Sequence, residues 1–142
     1  MITWAGRLIV LYGGAHTVGA LTVEGAARHA GAWFSAELWG DELADMSPAN
    51  SAYWLSVNSF GMPLVLVGLT VLWMDRRGVT PPPFIAWTLA AWTVVDAVVL
   101  GPTPVNVWII PLASGLLVVG ARRASRRADP ASRADGRYAS GP

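Results

Sequence analysis

A single carboxylate stands in the run AAWTVVDAVVLGPTP (residues 90–104). It is Asp96, with apolar residues on both sides. A single imidazole stands in a comparable run, LIVLYGGAHTVGAL (8–21), at His16. A carboxylate and an imidazole that face one another can share a proton and pass it to a bound substrate, as general acid–base catalysis requires. Asp96 and His16 are therefore the candidate catalytic pair. Tyr12 lies one helical turn before His16. Trp92 and Thr93 lie four and three residues before Asp96, on the same helical face. That spacing predicts a hydrogen bond from the Thr93 hydroxyl to the Asp96 carboxyl. Asn58, Asn106 and Glu24 complete the substrate-binding candidates, because each falls in the same half of the molecule as His16 and Asp96. Isomerisation, cyclisation or epoxide opening of a lipophilic substrate fits this set, since each needs proton transfer in a dry pocket. Two non-catalytic readings compete. One is an accessory or ligand-binding membrane subunit. The other is a structural membrane protein whose Asp, His and Asn side chains hydrogen-bond its helices together.

Other chemistries are excluded. There is no cysteine, and His16 and His29 are the only histidines. Disulfides and thiol nucleophiles are therefore ruled out, and neither a metal nor another cofactor is expected. The chain has no Gly-rich phosphate loop, HExxH, GxSxG or CxxC motif. Its basic C-terminal stretch lacks interleaved aromatics, so nucleic acid is not an expected partner.

The elements that must position these residues follow from composition. The 142-residue chain is 54% hydrophobic and 13% charged, against about 25% charged in an average soluble domain. Its charges fall almost entirely outside four apolar segments, about 2–23, 52–74, 84–101 and 104–121. Each is close to the ~20 residues a helix needs to cross ~30 Å of hydrocarbon. Backbone groups in lipid must be satisfied within their own segment, so helices are expected. The expected fold is all-α: a four-transmembrane-helix bundle (1–121), with an external, partly helical loop (24–51) between the first two helices. Residues 122–142 read as a disordered, Arg-rich cytoplasmic tail. A cleaved signal peptide is the rival reading of the first segment.

Finer signals refine this plan. In MSPAN (46–50), Ser47 reads as a helix N-cap and Pro48 as the first helical residue. Pro63 and Pro111 are expected inside helices two and four, freeing the carbonyls of Ser59 and Val107. In the loop, Trp33, Phe34 and Leu38 share a helical spacing. They predict either an interfacial helix or a lid on the bundle. Arg76 and Arg77 follow segment two, and Arg122, Arg123, Arg126 and Arg127 follow segment four. Four crossings put both clusters on one side, which the positive-inside rule makes cytoplasmic, together with both termini. The loop carries five acids against Arg28 alone, a net charge of −4, and is expected outside. The expected location is a bacterial inner (plasma) membrane. The expected partners are the lipid bilayer, a lipophilic small molecule, and a second copy or a membrane partner protein.

The stretches WAGRLIVLYGGAHTVGAL (4–21) and NSFGMPLVLVGLTVLWMDRRG (58–78) resemble those of an uncharacterised family of small four-helix bacterial integral membrane proteins of the actinomycete type. The resemblance spans about Trp4 to Arg123 and implies the four-helix membrane fold without an activity. Trp92 beside Asp96 is similar in style to the carboxylates and tryptophans of membrane sterol isomerases, although no motif aligns. Small multidrug transporters are of similar length and helix number but carry an essential Glu in their first helix. The comparable stretch here has His16 instead, which argues against drug–proton antiport.

Overall fold

The structure, a computed structural model, describes the backbone of residues 1–42, 44–101 and 108–138, and the side chains of these except at 100 and 125–138. All regular structure among the described residues is helical. The helices are α1 (Ile2–Thr22), α2 (Ala30–Phe34), α3 (Pro48–Leu55), α4 (Gly61–Arg76), α5 (Pro83–Leu100) and α6 (Ile110–Tyr138), with a short 3-10 turn at Ala26–His29. The chain divides into two compact units, Ile9–Leu69 on the one hand and Met1–Leu8 with Thr70–Pro142 on the other. The all-α class and the helical content of the loop agree with the sequence pattern. Among the described residues no helix is both long and apolar enough to cross a membrane.

The second apolar segment explains part of that result, because it is not one helix. It divides between α3 and α4 at 56–60, where serine hydroxyls bond the backbone in addition to its own N–H groups. The Ser56 hydroxyl donates to the Ala52 carbonyl over 2.6 Å, and the Ser59 hydroxyl to the Ser56 carbonyl over 2.9 Å. The Gly61 N–H in turn donates to Ser59 Oγ at 3.3 Å. Such local bonds offer the chain an alternative to the helical ladder. Pro63 then falls in the first turn of α4, where its missing N–H breaks no intrahelical bond. Pro111 likewise sits in the first turn of α6. Pro63 therefore stands at a helix start and not inside a span as expected, and Pro111 is the second residue of α6; Val107 lies outside the described residues.

The start of α3 follows its sequence signal. Ser47 Oγ accepts the Asn50 N–H at 3.2 Å, and Pro48 is the first helical residue. The Ser47 hydroxyl donates in turn to Asp41 Oδ2, which ties the acidic part of the loop to α3. At the other end of the chain, α6 runs on to Tyr138, where a disordered tail is expected from composition. Ala and Arg, both strong helix formers, supply much of that extension.

In the unit Ile9–Leu69, α2, α3 and the 3-10 turn pack together. Gly13 and Gly61 meet so closely that a Cβ on Gly13 would lie 2.5 Å from the Gly61 carbonyl oxygen. The Trp33 indole N–H donates to the Ala49 carbonyl at 2.9 Å, and its ring meets Tyr53 edge-on at 5.8 Å. Trp33 therefore docks the loop onto α3, as a lid would. Phe34 and Trp39 stay exposed at 89% each. In the other unit α5 packs on α6, around buried Ala86, Leu89, Ala113 and Leu117. Thr3 Oγ1 donates to Asp75 Oδ2 at 2.5 Å. Ile2 presses on Gly120, where a Cβ would lie 2.6 Å from Ile2 Cγ1.

Candidate functional site

His16 projects from α1 and is half-buried. Its ring stacks on Phe60, with centroids 4.1 Å apart and planes tilted by 30°. Tyr12, one turn earlier, lies 5.9 Å from the same Phe60 ring. The structure thus brings Tyr12 and His16 together on Phe60. His16 Nε2 is buried and has no hydrogen-bond partner among the described residues, and the same holds for the neighbouring Thr17 Oγ1. Gly61 completes this cluster, since a Cβ there would stand 3.2 Å from His16 Cδ2 and against Thr17 Oγ1. A buried polar atom without a partner calls for an explanation such as a water, an ion or a ligand. An imidazole Nε2 can accept or donate a proton there, depending on its tautomer. Phe60 and Thr17 were not among the sequence candidates. Thr17 stands four residues after Gly13, a spacing that marks it as part of the small-residue seam.

Asp96 belongs to the other unit. It continues the stripe Ala86, Leu89, Thr93 of α5, whose members are buried, and is itself half-buried. Its expected bond with Thr93 is not formed. The Thr93 hydroxyl donates to the Leu89 carbonyl at 2.8 Å, because in a helix a Thr Oγ1 readily reaches the carbonyl of the preceding turn. Trp92 is 61% exposed and lies away from the buried stripe. On α6, Ser114 is buried and its hydroxyl has no partner among the described residues.

The remaining candidates are dispersed. Glu24 is exposed just beyond α1, and its N–H donates to the Gly19 carbonyl at 3.2 Å. Asn58 is exposed in the turn between α3 and α4. Asn106 lies outside the described residues. Among the described residues no three His, Asp or Glu side chains gather as metal ligands would.

A second constellation was not anticipated in detail. In the unit formed by Met1–Leu8 and Thr70–Pro142, Arg7 lies over the Trp4 ring at 5.2 Å and Arg77 over the Trp73 ring at 5.5 Å. The Thr3–Asp75 bond and the Ile2–Gly120 contact bring the start of α1, the end of α4 and the middle of α6 to one place. The basic residues Arg7, Arg76, Arg77, Arg122 and Arg123 therefore share one end of that unit.

No family model matches this chain, nor does any curated protein or solved structure.

Proposed function

We propose that this chain is a small integral membrane protein that binds or transforms a lipophilic molecule, with its Arg-rich end cytoplasmic and the 24–51 loop outside. The observation that carries the proposal is where large and small residues lie. Small residues make up half of the buried apolar positions, with Ala5, Ala20, Ala26, Ala86 and Ala113 beside Ile9, Val71, Leu89, Ile110 and Leu117, and Gly13, Gly61 and Gly120 are pressed against neighbours. Large apolar residues face outward, including seven of the eight tryptophans and Val94, Val95, Val98 and Val99 of α5. Soluble monomers rarely leave so many large apolar side chains open. Leaving one such side chain in water forgoes about 1.5–3 kcal/mol. Lipid relieves that penalty, and helices in lipid associate through small residues. The 21 residues of α1 and 18 of α5 reach ~31 Å and ~27 Å at 1.5 Å per residue, comparable to a hydrocarbon core. In this reading the Arg–Trp pairs sit at the cytoplasmic headgroup level, where both residue types are favoured.

A second, finer reading is acid–base chemistry by His16, with Tyr12 beside it on Phe60; Asp96, in the other unit, is a separate candidate for proton transfer. The buried, unpartnered His16 Nε2 favours it over a purely structural role.

The absence of cysteine makes topology directly testable. Single variants Asp41→Cys and Gly78→Cys are expressed in a bacterial host and treated with a membrane-impermeant maleimide. Asp41→Cys should label in intact cells, and Gly78→Cys only after permeabilisation. Labelling of both in intact cells, or recovery of the protein in the soluble fraction, defeats the membrane proposal. Labelling of Gly78→Cys alone reverses the orientation.

A further inference from the structure

The Arg-rich end holds a cavity that the functional reading above leaves unused. It measures about 120 Å³; its lining is aliphatic apart from the Trp87 indole, and Arg122 is the only charged group among the residues that line it. That volume is well below the ~300–1,000 Å³ of a site enclosing a whole small ligand. It suits a segment of a larger molecule, the rest of which lies outside.

Among the described side chains the charge beside it is mostly positive. Arg122 is exposed and forms no ion pair among the described residues. Arg123 follows it directly. The contacts of Ile2 with Gly120 and of Thr3 with Asp75 bring Arg76 and Arg77 to the same end. The acid there, Asp75, already accepts the Thr3 hydroxyl. An apolar slot with an open guanidinium at its margin is complementary to an amphiphile with an anionic head and an alkyl chain. Guanidinium recognises phosphate through paired N–H donors. Basic pockets at the cytoplasmic ends of membrane helices suit acidic lipid headgroups.

We propose that this cavity binds one acidic phospholipid, with the upper part of an acyl chain against Trp87, Leu117 and Val118 and the phosphate on Arg122. The proposal rests on the membrane reading. The three-proline run stiffens the wall of the slot, since proline holds φ near −65° and Pro82 and Pro83 stand at the cap and first residue of α5.

The test uses the full-length protein in vesicles containing phosphatidylglycerol or phosphatidylcholine with brominated acyl chains. Trp87 is 64% exposed, and the emission it contributes is isolated as the difference from a Trp87→Phe variant. Brominated phosphatidylglycerol should quench that difference on the order of fivefold more effectively than brominated phosphatidylcholine, the preference expected from one Arg at an anionic surface. Arg122→Gln should abolish the preference and Arg123→Gln should retain it. Inorganic phosphate at millimolar concentration should not compete, because it lacks the chain that fills the slot. Equal quenching by the two lipids overturns the proposal. So does equal loss in both Arg variants, which would mean diffuse attraction. Reversal by inorganic phosphate would make the site one for free phosphate and overturn the lipid assignment. Failure to enter phosphatidylcholine vesicles at all would instead refute the membrane reading itself, an outcome visible by flotation before any quenching is measured.

Discussion

The hydroxyl of Thr3 donates to Asp75 Oδ2 across 2.5 Å, joining the first turn of α1 to the last turn of α4. The residues are 72 positions apart in sequence. Their bond fixes which helix ends lie together, and so why Arg7 and Arg76 share one end of their unit. Among the described side chains, Asp75 is the acid that stands with Arg7, Arg76, Arg77, Arg122 and Arg123, so positive charge is in excess there.

Thr3→Val keeps the shape of residue 3 and removes the donor. A hydrogen bond to a charged acceptor contributes about 1.5–3 kcal/mol when well buried, and this one is only part-buried. The variant should lose about 1–2 kcal/mol in denaturant unfolding in detergent. An unchanged midpoint would show that the bond does not hold the two ends together.

The two glycines at 13 and 14 should respond oppositely to the same substitution. A Cβ on Gly13 meets the Gly61 carbonyl at 2.5 Å, whereas one on Gly14 meets nothing within 4 Å. Gly13→Ala must push backbone apart and should cost about 1–3 kcal/mol or more. Gly14→Ala only gains helix propensity, about 0.5–1 kcal/mol. Thermal unfolding of both variants decides it, and a tolerated Gly13→Ala would sink the close α1–α4 crossing.

Much of the fold was legible in the sequence because it rests on local signals. Apolar runs set α1 and α5, and Ser47 with Pro48 set the start of α3. The break at 56–60 was not legible from hydropathy, because Val57 and Phe60 keep the run apolar across a turn that Ser59 ties together, its hydroxyl donating to the Ser56 carbonyl and accepting the Gly61 N–H. Pro63 was misplaced for the same reason: a helix interior becomes a helix start once the preceding turn breaks. Of the candidate site, Tyr12 beside His16 followed from helical spacing. Phe60, the ring on which both lie, depends on how two helices cross, and single-helix periodicity carries no information about that. The Thr93 hydroxyl could reach either a side chain or its own backbone, and the nearer backbone carbonyl prevailed.

Trp33 anchors the loop by one hydrogen bond to Ala49 and an edge contact with Tyr53. Trp33→Phe keeps most of the ring contact and loses the N–H donor, worth about 1 kcal/mol. Opening of the loop should become on the order of fivefold more frequent. Limited proteolysis between 36 and 46 should accelerate by about the same factor while cleavage elsewhere does not. An unaltered rate would mean that the indole bond does not hold the loop down.

Asp96 and His16 carry the catalytic reading, and Asp96→Asn separates it from the structural one. Asp96 ends a buried stripe of α5, and the hydroxyl of Thr93, one turn earlier, is engaged with the Leu89 carbonyl. Its carboxylate is therefore not held by the residue that helical spacing assigns to it. An Asn side chain has the same shape and still hydrogen-bonds, but it cannot take up a proton. If Asp96 only ties helices together, the interaction is worth about 0.6–1.7 kcal/mol, and Asn supplies most of it. Stability in detergent and phenotype should then both survive. If Asp96 transfers protons, stability should survive and function should not. The readout is the membrane lipid extract of a deletion strain of the native host, compared by mass spectrometry after complementation. Wild-type protein should restore the parental profile. Asp96→Asn, present in the membrane at equal abundance, should leave the lipophilic substrate accumulated. His16→Gln should do the same, since Gln can occupy the space on Phe60 without an imidazole. Restoration of the parental profile by Asp96→Asn excludes proton transfer by Asp96 and leaves the binding or accessory role as the surviving reading.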